Sequence, residues 1–70
     1  MIIFTKHALE KMDGYGVEMR DVKQVIKTGM KWKEERSDKW HASMMGIEAV
    51  FTKQDGRLIV ITVYRSGRST

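Results

Sequence analysis

Two histidines, His7 and His41, are the side chains best suited to proton transfer near neutral pH, and the chain has no cysteine. Imidazole titrates close to neutrality, and a neighbouring cation lowers its pKa. Lys11 follows His7 by one helical turn on the same side. A base placed in this way can take a proton from a ribose 2′-hydroxyl. The competing reading makes His7 a boundary residue that caps or packs. His41, between Lys39 and Ser43, reads as a solvated side chain on a strand. Near the end of the chain, Thr62 and Tyr64 share one strand face and Arg65 points to the other. An arginine or tyrosine at a strand rim can stabilise a pentacovalent phosphate or protonate a leaving oxygen. Equally, Thr62 and Tyr64 serve sheet propensity, with Arg65 as a solvated edge charge.

Cations outnumber acids, 13 Lys and Arg against 9 Asp and Glu, for a formal charge of +4. Arg20, Lys23 and Lys27 recur at i, i+3 and i+7, which gathers them on the side of a helix opposite its apolar stripe. Such a stripe can track a phosphate backbone while Trp32, Trp40 or Tyr64 takes bases. It is also what the solvated face of any surface helix looks like. The two histidines lie 34 positions apart by number, with none of the ligand spacings that zinc sites use, so no metal and no cofactor is expected. Gly14-Tyr15-Gly16 is too short for a phosphate loop and follows no strand.

Seventy residues allow one domain, 1–70, with 66–70 expected as a frayed tail. Apolar residues at 41% and charged residues at 31% are globular rather than disordered values. The longest apolar stretch, from Leu58 to Tyr64, is far short of a membrane span. Absent cysteines fit a reducing interior, and a small soluble cytoplasmic domain with no membrane partner is expected.

The elements that must position these residues follow from periodicity. Ile2-Ile3-Phe4 is an apolar lead-in or a short strand. Thr5 stands as the N-cap of a helix from Lys6 to about Tyr15, with Ala8, Leu9, Met12 and Tyr15 on one side. A second helix runs from about Glu18 to Thr28 on a Met19, Val22, Val25 and Ile26 stripe, and Gly29 follows where a left-handed residue is wanted. Met30 to Arg36 and Lys39 to Met45 alternate as strands around a Ser37-Asp38 turn, and Gly46 marks a bulge or bend. Asp55-Gly56 between Ile47–Lys53 and Arg57–Arg65 reads as a type I′ hairpin. That register sets Phe51 against Val60, Ala49 against Thr62 and Ile47 against Tyr64.

The expected fold is α+β: an N-terminal helical hairpin packed on a three- to four-stranded antiparallel meander. Because Leu58 to Val63 is apolar on both faces, it should be a central strand whose second face needs cover. A homodimer through that second sheet face is one way to provide it.

His7-Ala8-Leu9-Glu10-Lys11-Met12 resembles the opening His-Ala-x-x-Arg-Met helix of the domain of unknown function 4258 family. Gly16-Val17 with Asp21-Val22 is similar to that family's Arg-Gly-Ile turn and second helix. Ile61-Thr62-Val63-Tyr64-Arg65 resembles its closing Ile-Thr-Val-Tyr-Arg strand. The layout also resembles the ribonuclease-like fold of RelE and ParE toxins and tRNA-cleaving colicins. The resemblance implies metal-independent chemistry on RNA, with His7 as base, Lys11 and Arg65 on phosphate, and Thr62 and Tyr64 lining the site. Lys11 stands where the family has Arg and so lacks the bidentate fork that suits phosphate. Tyr15 replaces a second Arg. Three functions follow as expectations: an endoribonuclease, a non-catalytic nucleic-acid-binding module, or a homodimeric interaction domain. The likeness to toxins also raises an antitoxin-like protein partner, which the sequence does not specify.

Overall fold

The computed structural model describes residues 1–66. The expected tail therefore lies, beyond Ser66, outside the described residues. Seven elements follow in order: β1 (Ile2–Phe4), α1 (Lys6–Tyr15), α2 (Met19–Thr28), β2 (Met30–Lys33), β3 (Trp40–Met44), β4 (Ile47–Gln54) and β5 (Arg57–Arg65). The strands form one sheet in the order β1-β5-β4-β3-β2. Three of the four pairings are antiparallel, and β1 lies parallel to β5 with Ile2, Ile3 and Phe4 opposite Leu58, Ile59 and Val60.

The α+β class holds, and the strand count changes. The sheet is five-stranded and mixed, and a strand precedes the helices. The cause lies in β5: with apolar side chains on both faces and β4 on one edge, its other edge is free to pair, and Ile2-Ile3-Phe4 takes it.

α1 starts where Thr5 caps it. The Thr5 hydroxyl accepts from the Ala8 amide at 3.1 Å and donates to the Ile61 carbonyl at 3.0 Å, which ties the helix start to β5. Gly16, at φ 72°, ends the helix in the left-handed conformation. α2 begins at Glu18, whose amide donates to Asp21 Oδ2 at 3.0 Å. Two ten-residue helices are marginal alone, so their persistence comes from packing. Ala8 and Met12 of α1, with Val22, Val25 and Ile26 of α2, bury against Ala42, Ile47, Ala49, Phe51, Val60 and Val63 on one sheet face. α1 lies along β5 and α2 lies across β3 and β4.

Three local readings change. Met45-Gly46 is a second two-residue hairpin, with φ of 55° and 79°, rather than a bulge. The bulge lies instead in β5: Val50 faces Thr62 while Phe51 faces Val60, leaving Ile61 unpaired. As a result Ala49 faces Val63 and Ile47 faces Arg65, and Val60 and Val63 reach the same core. Gly29 is not left-handed, since its φ is −75°. It is needed because a Cβ there would lie 2.5 Å from the Val25 carbonyl oxygen and 2.7 Å from that of Ser43.

Among the described residues, no helix is long and apolar enough to cross a membrane.

Candidate functional site

The sheet face away from the helices carries Met30, Trp32, His41, Val50, Thr62 and Tyr64. Alternation forces this: their neighbours Ala42, Ala49 and Val63 point into the core. Met30 is 74% exposed, Tyr64 46% and Trp32 41%. Thr62 is buried on this face, and its hydroxyl has no hydrogen-bond partner.

At the end of β5, Arg65 turns toward the helix layer and its Nη1 donates to the Tyr15 carbonyl at 3.3 Å. Tyr15, Ser43, Glu48, Tyr64 and Arg65 surround a depression of about 280 Å³. Arg65 also borders a second depression of about 320 Å³ with Asp21, Gln24 and Met44. The Lys11 ammonium lies 5.6 Å from the centre of the Tyr15 ring, a cation–π distance. Lys11, Tyr15, Tyr64 and Arg65 thus share one corner of the molecule. Thr62 is two residues back along β5 with its hydroxyl buried. His7 is exposed in the first turn of α1, eight residues before Tyr15, which is about 12 Å along a helix axis. Lys11 lies one helical turn after it, and His7 lines neither depression that Arg65 borders.

Arg20, Lys23 and Lys27 are all exposed on α2, and none of them lines a depression that Arg65 borders. Arg20 pairs with Glu18 at 2.9 Å. Lys23 and Lys27 border a third depression, of about 330 Å³, floored by Ile2, Ile26 and Leu58.

His41, expected as a solvated strand residue, is instead largely buried. Its side chain is only 16% exposed. Nδ1 lies 2.6 Å from Glu48 Oε2 and Nε2 lies 2.7 Å from Glu34 Oε2. Trp32 stacks on the ring, with centroids 5.1 Å apart and planes 8° from parallel. Burial opposes a charged imidazole, but the hydrogen bonds and charges of the two glutamates outweigh it, and His41 is held above its ordinary pKa. Glu34 is held below its own ordinary value, chiefly by the bond to His41 and then by one from the Ser37 hydroxyl. The carboxylates approach opposite edges of the ring, so they clamp it and do not converge on a shared metal position. Among the described residues no cluster of three potential metal ligands occurs.

The signal for this clamp was the Met45-Gly46 turn. Once those two residues form a hairpin, Ser43 pairs with Glu48, and Glu48 is diagonal to His41.

A family model described as Domain of unknown function (DUF4258) matches residues 4–65. No curated protein and no solved structure matches the chain.

Proposed function

The chain belongs to the DUF4258 family, whose description assigns no activity, and we propose that it binds single-stranded RNA at the Lys11–Tyr15–Tyr64–Arg65 corner. One observation carries this reading. Arg65 borders the 280 Å³ depression between two part-exposed tyrosines, and among the described residues no carboxylate pairs with it. A guanidinium held by one backbone carbonyl keeps its other N–H groups for phosphate oxygens. The tyrosine rings offer faces on which bases stack, each worth about 1–3 kcal/mol. Glu48 also lines the depression, but its carboxylate is bonded to His41. Lys11 and Arg65 are the cations of this corner.

Binding is favoured over cleavage because His7 lines neither of the depressions that Arg65 borders. One assay addresses both. Labelled single-stranded and hairpin RNAs are titrated in excess EDTA by fluorescence anisotropy at several salt concentrations, and the products are then run on a gel. Tyr64→Ala should weaken binding about tenfold, and Arg65→Ala should also lower the salt slope by about 1. No salt-dependent binding by the parent, or an unchanged slope in Arg65→Ala, overturns the proposal. Cleavage that is lost in His7→Ala with binding retained would add metal-independent endoribonuclease chemistry.

A further inference from the structure

The depression over Ile2, Ile26 and Leu58 lies far from Arg65 and has a different chemistry. Its floor is three aliphatic side chains, and two lysines of α2, Lys23 and Lys27, stand on its rim. It is a gap in the helix layer, because α1 lies along β5 and α2 across β3 and β4, leaving the β1 corner partly open. β1 is also an edge strand. The Leu58 amide donates to the Met1 carbonyl and the Thr5 amide to that of Val60. In a parallel ladder alternate residues face the partner, so the backbone groups of Ile2 and Phe4 point outward.

We propose that this corner takes an extended acidic segment of a partner protein. The segment adds as a strand beside β1 and seats one aliphatic side chain over Ile2, Ile26 and Leu58, with carboxylates meeting Lys23 and Lys27. The pieces agree in geometry. A strand paired with β1 puts alternate side chains on the face that Ile2 occupies, which is where the depression lies. The two lysines lack carboxylate partners among the described residues, and the chain carries +4 overall, so charge selects an acidic occupant. A second copy pairing edge to edge through β1 would bring another Lys23 and Lys27 to the first. RNA would find cations here but no aromatic ring to stack on.

The test uses the full chain, 15N-labelled, and a short capped peptide with a central leucine, valines on either side and glutamates beyond them. Chemical-shift changes are expected at the Ile2 and Phe4 amides and around Ile26 and Leu58. Replacing both glutamates by lysine should abolish binding. Lys23→Glu with Lys27→Glu should weaken it about tenfold or more, and both positions are exposed, so the fold should persist. A peptide methylated on the backbone nitrogen that faces β1 should also bind poorly. Three results overturn the proposal: no shift at Ile2 and Phe4, equal binding of the lysine peptide, or single-stranded RNA shifting these residues where the peptide does not.

Discussion

Replacing His41 by alanine removes the stacking partner of Trp32 and both carboxylate bonds at once. Aromatic stacking contributes about 0.5–1.5 kcal/mol. The bond to Glu48, whose side chain is 34% exposed, is a partly screened charged contact of about 1 kcal/mol. Together these give about 2 kcal/mol, a large share of the roughly 4–10 kcal/mol expected for a domain of this length. At about 4–8 °C per kcal/mol, Tm should fall by about 8–16 °C at pH 6. The pH dependence is the sharper readout. A histidine with a raised folded pKa contributes stability that is complete below its ordinary value, 6.5, and fades as pH rises through the folded value. Glu34 has the opposite sign: its contribution is present above its ordinary value, 4.5, and fades as pH falls through the lowered one. The parent protein should therefore be most stable between about pH 4.5 and 6.5. Thermal melts by circular dichroism from pH 4 to pH 9 would show this, and His41→Ala should lose most of the alkaline decline. A variant that melts within about 2 °C of the parent at pH 6, or keeps the same decline from pH 6 to pH 8, would refute the reasoning.

Three further substitutions test other parts of the structure. Gly29→Ala drives a methyl group into two backbone carbonyls, so the cost should reach the top of the overpacking range, about 3 kcal/mol, and a Tm within about 4 °C of the parent would contradict the close approach. Thr62→Val replaces a buried, unpartnered hydroxyl with a methyl group and should stabilise by about 1–2 kcal/mol in urea unfolding; a loss of stability would mean the hydroxyl has a partner. Met45→Gly relieves a left-handed, 86% exposed residue and should raise stability by about 1 kcal/mol, with an unchanged or lower Tm as the adverse result.

Much of the fold can be read from local signals. The 3.6-residue apolar stripe at Val22, Val25 and Ile26, the Thr5 cap, and the Asp55-Gly56 turn each dictate structure within a few residues. What is not local was harder to read. The parallel pairing of β1 depends on which edge of β5 stays open, and no short-range pattern states that. The β5 bulge leaves no mark in residue types, because Val, Ile and Thr suit either parity, and a single unpaired residue moves the partner of Ala49 from Thr62 to Val63. At the candidate corner, Arg65 and Tyr64 could be placed from strand alternation, whereas the distance from His7 to Arg65 depends on how α1 lies along β5. His41 was misread because its character comes from Glu34 and Glu48, seven residues away on either side, and both are brought to the ring by strand pairing.

The tie between Thr5 and Ile61 spans 56 residues, and it sets a timetable for folding. β5 holds an inner position in the sheet and supplies Val60 and Val63 to the core under the helices, yet it follows all six other elements along the chain. Until it arrives, β1 has no strand to pair with, and α1 has neither its anchor at Ile61 nor the surface along which it lies. Such long-range closure makes folding slow relative to helical domains of similar size. On a nascent chain, the two helices and the β2–β4 meander wait with their apolar faces uncovered until β5 emerges and pairs with both β4 and β1.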